Sequence, residues 1–182
     1  MATKRYLHEW ENPNVFAVNK LAGRTPAIGY DSLLEQQADK QSNKLNLNGE
    51  WHFKWLRGLS GFDKDQAVNE EASGWDTIQV PGVWELQGYG KPYYLAFDYP
   101  LALSKSKRRI PEIDPTQNEV GIYTREFTVP AHWQQKKVYV FFGAVKSAFH
   151  LYINKQLVGY SQGSMTPAEF EITKYLVPGK TE

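Results

Sequence analysis

Glu169 and Glu171 are the first side chains in this sequence whose spacing permits chemistry. They stand two apart, so on a strand they share one face. Glycoside hydrolysis uses two carboxyls roughly 5–9.5 Å apart around a substrate, and this spacing allows it. Such a pair also needs environments that split the two pKa values. The exposed face of an edge strand supplies none, so a solvated face is expected. Glu70-Glu71 lies in a polar stretch and reads the same way. The histidines are His8, His52, His132 and His150, and no two have the i, i+4 spacing of a helical zinc site. His52 and His150 fall inside strand patterns and read as exposed or hydrogen-bonded structural residues. With no cysteine, thiolate metal sites, disulfides and a Cys nucleophile are excluded. Ser161-Gln162-Gly163-Ser164 lacks the Gly-x-Ser-x-Gly frame of a nucleophile elbow. Gly88-Tyr89-Gly90-Lys91 lacks the glycine spacing and following hydroxyl of a phosphate loop. Aromatic rings remain. The stretch from Trp84 to Tyr94 joins Trp and Tyr residues through glycines. Such rings stack on sugar faces, or they pack a core or an interface.

The elements that must position these groups are short. Trp51, Phe53 and Trp55 alternate with polar residues, the period of a strand with one apolar face. Thr77–Val80 is a strand closed by Pro81-Gly82, and Tyr123–Val129 is another, closed by Pro130. The apolar run Val138–Phe142 predicts a strand buried on both faces. Ser147–Ile153 and Gln156–Tyr160 flank Asn154-Lys155, a two-residue hairpin turn. Glu169–Ile172 is a short strand, and Thr173–Gly179 is a turn that should launch one more. Helix is expected only between Asp31 and Gln41, with Asp31 or Ser32 as N-cap. Ala102–Asn118, with Lys105, Lys107, Arg108 and Arg109, reads as a solvated surface loop. Residues 1–43 form an extended arm and residues 44–182 the body. Many short strands between Gly/Pro turns mark an all-β sandwich or barrel.

The chain has 182 residues, which suits about one domain with a real core. Lys+Arg is 21 and Asp+Glu 20, so the net charge of +1 argues against a nucleic-acid footprint. No run of 18 apolar residues is present, so no membrane partner is expected. No secretory signal is visible at the start, which predicts a cytoplasmic protein, or a periplasmic one if the N-terminus was trimmed.

Trp10-Glu11-Asn12-Pro13, Leu47-Asn48-Gly49-Glu50-Trp51 and Val80-Pro81-Gly82-Val83-Trp84-Glu85-Leu86-Gln87-Gly88-Tyr89 occur in order. Tyr99-Pro100, Gly121-Ile122-Tyr123, Phe142–Phe149, Val158-Gly159-Tyr160-Ser161 and Pro167–Thr173 follow them. From about Trp10 to the end, the chain resembles the amino-terminal sugar-binding domain of the large bacterial β-galactosidases, glycoside hydrolase family 2. The resemblance implies a jelly-roll, galactose-binding-domain-like β-sandwich. It implies a much longer parent whose catalytic glutamates lie in a TIM barrel absent from this chain, so the 182 residues alone are expected to be inactive on lactose. Its implied partners are a β-galactoside substrate, the other domains of the polypeptide and further copies in a homo-oligomer. It also implies that the chain stops before its closing strand, leaving an uncovered edge, with lowered stability or an edge filled by another molecule.

In the family an Asn ahead of the Tyr-Pro pair reaches the substrate. Here that position holds Ala96, and Asp98 lies two residues on, on the same side of an extended loop. Related enzymes bind a structural Mg²⁺ through this domain, which implies Glu9, Asn12, the Val15 carbonyl and Gln162 as ligands. Glu9 stands where Asp is usual, and a further acidic ligand would lie past residue 182. The competing readings are a stand-alone carbohydrate-binding module, a docking module, and the equivalent domain of a β-glucuronidase or β-mannosidase.

Overall fold

The structure is a computed structural model and describes residues 8–27, 29–60, 62–92 and 111–182. It divides into two compact units. The first holds residues 1–16 and 49–125, the second residues 17–48 and 126–182.

The first unit is built on β2 (Gly49–Leu56), which lies between β3 (Asp76–Val80) and β4 (Val120–Thr124), both antiparallel to it. The alternation Trp51, Phe53, Trp55 points one row of rings inward, and Phe53 is fully buried. Gly121 lies opposite Trp55 because a side chain there would strike the rings of Trp84 and Phe53 at 2.6 and 2.7 Å. A helix not expected from the sequence, α2 (Lys64–Asn69), precedes β3. Asp63 caps it, accepting from the Gln66 backbone N–H at 3.3 Å. Asp63-x-x-Gln66 is the signal that could have found it.

In the second unit β8 (Gln156–Gln162) lies between β1 (Ala17–Val18) and β7 (Ala148–Ile153). β6 (Tyr139–Phe142) pairs with β9 (Ala168–Glu171), and β5 (Phe127–Thr128) with β10 (Lys180–Thr181). Val138, Ile153, Val158, Ala168, Phe170 and Ile172 meet in one core. The β7–β8 and β6–β9 ladders therefore supply opposed apolar faces. The expected turn at Asn154-Lys155 is present, with both φ values positive at 49° and 64°. That is the geometry whose twist suits a two-residue hairpin. The last expected strand is β10. Helix α1 (Leu33–Gln37) starts where expected, with Ser32 Oγ accepting from the Glu35 N–H at 3.1 Å.

Residues 17–43 do not trail free. Val18 pairs with Tyr160, the Leu21 N–H donates to the Glu169 carbonyl at 2.9 Å, and the Asn19 amide donates to the Val158 carbonyl at 2.8 Å. Further on, the Trp133 indole donates to the Ser42 carbonyl at 3.0 Å. Lys136 pairs with Asp31 at 2.7 Å, and the Asn43 amide and this ammonium hold the Asp31 carboxyl below its usual value.

Two strand expectations are corrected. Tyr123–Val129 is not one strand, because β4 ends at Thr124 and pairs with β2, whereas β5 pairs with β10. The alternation runs through the break because each half has its own inward-facing row. β6 is covered on one face only: Val140 and Phe142 meet the core, but Tyr139 and Phe141 are 41% and 47% exposed. Lys105, Lys107, Arg108 and Arg109 lie outside the described residues.

Candidate functional site

A cavity of about 360 Å³ opens in the first unit, beside the end of the β2–β3 ladder. Phe53 and Asp76 are register partners, which brings Trp55 and Trp75 to the same end of the two strands. Both indoles line the cavity, with Lys54, Glu70, Ser73 and Tyr89. Tyr89 is placed by the 3-10 turn Trp84–Gln87 and by Gly88, whose φ of 96° reverses the chain. Its ring meets Phe53 edge-on at 4.7 Å.

The polar groups are mostly paired with one another. Lys54 forms an ion pair with Glu70 and stands 5.8 Å from the centre of the Trp75 ring. The Arg57 guanidinium lies 5.3 Å from the Trp55 ring. Tyr89 donates to Asp76, and burial followed by this bond pushes its phenol pKa up. The indole N–H groups of Trp55, Trp75 and Trp84 are buried without a hydrogen-bond partner among the described residues. The cavity thus offers flat rings within a rim that carries one ammonium, Lys54, and two carboxylates, Glu70 and Asp76. Sequence reasoning did not single out Ser73, Gly74, Trp75 or Asp76; the signal for Trp75 was an indole two residues before Thr77-Ile78-Gln79-Val80.

Ala96 and Asp98 lie outside the described residues. Glu9, Asn12 and Val15 fall in the first unit and Gln162 in the second. Glu9 is 3.5 Å from Lys64. Asn12 Oδ1 accepts from the Asn14 N–H at 3.1 Å, its carbonyl accepts from the Val15 N–H at 3.0 Å, and Gln162 Oε1 accepts from the Tyr160 hydroxyl at 2.6 Å. All four prospective ligands are oxygens and one is anionic, so they suit a hard cation in type. Among the described residues no three His, Cys, Asp or Glu side chains group as a metal site.

Glu169 and Glu171 are separated by their partners. Arg24 clamps Glu169 with two bonds of 2.6 and 2.8 Å, and the Glu169 side chain is only 11% exposed. This corrects the solvated-face reading: the arm brings a cation across 145 positions of sequence. Glu171 faces Lys137 at 3.6 Å and the Thr173 hydroxyl at 3.4 Å. Glu70 is likewise paired, with Lys54. His8 stacks on Trp10 at 4.3 Å, the His132 Nε2 lies 2.9 Å from the Ser42 carbonyl, His150 packs on Tyr160 and His52 is exposed. Of the Trp84–Tyr94 rings, Trp84 and Tyr89 pack around Phe53, and Tyr93 and Tyr94 lie outside the described residues.

Residues 45–182 match the family described as glycosyl hydrolases family 2, sugar binding domain. The chain belongs to this family. As a sugar-binding domain it has curated relatives that carry the name beta-galactosidase. It is 38% identical to one from Pseudoalteromonas haloplanktis, covering 94% of this chain and 16% of the relative. It is 36% identical to one from Priestia megaterium, covering 94% and 17%. The chain therefore spans about a sixth of the length of these relatives. Among solved structures, a β-glucuronidase from Ruminococcus gnavus in complex with D-glucuronic acid matches with a TM-score of 0.51 and 18% identity, over 74% of this chain and 20% of that one. A Bifidobacterium dentium β-glucuronidase matches with a TM-score of 0.50 and 22% identity, over 74% and 18%. These likenesses bear out the all-β fold.

Proposed function

We propose that the chain is the amino-terminal sugar-binding domain of a β-galactosidase, a glycoside hydrolase that cleaves terminal β-D-galactosides such as lactose. The domain shapes one side of the substrate pocket and supports a catalytic domain supplied by the rest of the polypeptide. The observation that carries this reading is the 36–38% identity to beta-galactosidases over 94% of the chain. Identity to the β-glucuronidase structures, at 18–22%, speaks for a shared fold and not for a shared substrate.

In this reading the 182 residues do not hydrolyse galactosides alone. Glu169 is clamped by Arg24 and Glu171 faces Lys137, so neither is poised as an acid or a nucleophile. Asp98 would reach a sugar hydroxyl in the assembled pocket, where Ala96 cannot hydrogen-bond. Glu9, Asn12, the Val15 carbonyl and Gln162 would hold Mg²⁺, with waters or further chain completing its preference for six oxygens. There Mg²⁺ would neutralise the Glu9 carboxylate. Further copies of the whole protein and a cytoplasmic location complete the proposal.

The test mixes the purified chain with a Priestia megaterium relative lacking its own first domain. Nitrophenyl β-galactoside turnover is expected from the mixture only. Turnover by the chain alone at an enzyme-like rate, or none from the mixture when both parts are folded, would overturn the reading. Magnesium added to the mixture should raise its thermal midpoint, and Glu9→Gln should abolish the increase.

A further inference from the structure

We propose that the outer edge of β6 docks a second copy of this chain, the two β6 strands pairing antiparallel about a two-fold axis at Val140. This goes beyond the enzyme reading and does not rest on it.

The backbone shows an open edge. Tyr139 is the register partner of Glu171, and Phe141 of Glu169. One step on, the Ile172 N–H donates to the Val138 carbonyl at 2.9 Å. Partners in an antiparallel ladder alternate between bonded and unbonded pairs. Val138, Val140 and Phe142 therefore turn their peptide groups towards β9, and Tyr139 and Phe141 turn theirs away. Glu169 agrees with this alternation: its carbonyl points away from β6 and accepts from the Leu21 N–H at 2.9 Å. The far edge of β9 is thus taken by the arm. Among the described residues no strand pairs with the far edge of β6. Strand β3 shows how an edge can be closed instead: Gln87 Oε1 accepts from the Gln79 N–H at 2.8 Å, and its amide donates to the Gln79 carbonyl at 3.1 Å. Among the described residues β6 has no such guard.

The side chains suit a partner of the same kind. Tyr139 and Phe141 are half exposed, on the face away from the core. The charges on that face are closed within the chain, Arg24 with Glu169 and Lys137 with Glu171. Pairing about Val140 sets Tyr139 of one copy opposite Phe141 of the other, and the two-fold axis repeats the contact. Both residues have outward peptide groups, so each pair exchanges two N–H···O bonds while its rings lie side by side. Lys137 comes opposite Gly143, so no like charges meet across the axis, and a net charge of +1 adds little repulsion between copies. Because β9 offers no second free edge, the contact closes on itself as a dimer and does not propagate as a fibre.

The experiment uses the absence of cysteine, which leaves cross-linking without background. Tyr139→Cys and Phe141→Cys are purified separately, then oxidised alone and together. The register brings position 139 of one copy opposite 141 of the other, about 5.5 Å between Cα atoms and within disulfide reach. Two copies of the same variant place their cysteines on a diagonal about 7–8 Å long, beyond that reach. The combined sample should give about tenfold more disulfide dimer than either variant alone. Sedimentation equilibrium of the unaltered chain should show monomer and dimer with Kd on the order of 0.1 mM. Phe141→Lys puts a charge on the edge and should weaken dimerisation about tenfold or more, with the thermal midpoint of the dilute chain unchanged. Equal cross-linking in all three samples would overturn the proposal, as would an unaltered chain that stays monomeric at about 1 mM. Undiminished dimerisation of folded Phe141→Lys would also overturn it. Should that variant unfold, the other two measurements decide. None of them reads galactoside turnover, so this proposal and the enzyme reading fail separately.

Discussion

At the scale of single residues, the most telling side chains are those whose environment differs from what their neighbours in sequence suggest. Tyr123 packs its ring on Phe53 at 4.7 Å, and burial, then the nearby Glu85 charge, push its phenol pKa up to about 12. The neutral form is the one the fold favours. Its stabilising contribution is therefore complete below the unfolded value of 10.0, and is lost as pH rises towards 12. Urea denaturation at rising pH should show stability falling through that window, and Tyr123→Phe should flatten the fall. An equally steep fall in the variant would assign the effect to other groups. Gly159 is a second such residue. A β-carbon there would sit 2.4 Å from the Val18 carbonyl and 2.7 Å from the Phe170 ring. β1 and the core would both have to yield. Gly159→Ala should cost about 1–3 kcal/mol by chemical denaturation; a cost within error of zero would show that β1 moves aside freely.

At the scale of elements, local chemistry and tertiary pairing can be separated at the β7–β8 hairpin. Asn154 tolerates a positive φ and is held further: its amide donates to the Tyr175 carbonyl at 2.8 Å, and its Oδ1 accepts from the Glu182 N–H at 3.1 Å. Lys155 adopts φ of 64° against its own preference. Lys155→Gly should therefore stabilise the chain by about 1 kcal/mol, visible as a higher urea midpoint with an unchanged slope. A lower midpoint would mean that the Lys155 side chain contributes more than its backbone conformation costs. Asn154→Gly should go the other way, because it removes both side-chain bonds. The Arg24–Glu169 clamp acts between elements: it fastens the segment after β1 to β9, alongside the Leu21 backbone bond.

At the scale of the whole molecule, β6 presents a contradiction between pattern and burial. Its residues are apolar without interruption, the habit of a strand covered on both sides. Yet only Val140 and Phe142 meet the core, and Tyr139 and Phe141 face out. Exposed aromatics side by side promote association. Phe141→Ser should lower light scattering of concentrated chain while leaving the thermal midpoint nearly unchanged, since about half of this side chain is already in water. A large drop in midpoint would show that Phe141 belongs to the core after all. The family match places a sugar-binding domain in 45–182, and the chain spans about a sixth of the length of its relatives.

What the sequence determined by itself was whatever depends on neighbours. The period of two in Trp51, Phe53 and Trp55 fixed the inward row of β2. Ser32 with Glu35 fixed the start of α1, Asn154-Lys155 fixed a hairpin, and the ordered blocks from Trp10 to Thr173 identified the family. These signals are local, because side-chain direction alternates residue by residue and turn geometry spans only a few bonds. Asp63 with Gln66 carried the same kind of signal for α2. Only the tertiary structure decided which strand pairs with which. It divided Tyr123–Val129 between two partners, left Tyr139 and Phe141 of β6 half exposed, delivered Arg24 to Glu169, and gathered Trp55, Trp75 and Tyr89 around one cavity. Each of these depends on contacts between residues remote in sequence, whose energies come from the surface they bury together and the ion pairs they close. No window of the chain holds both halves of such a contact.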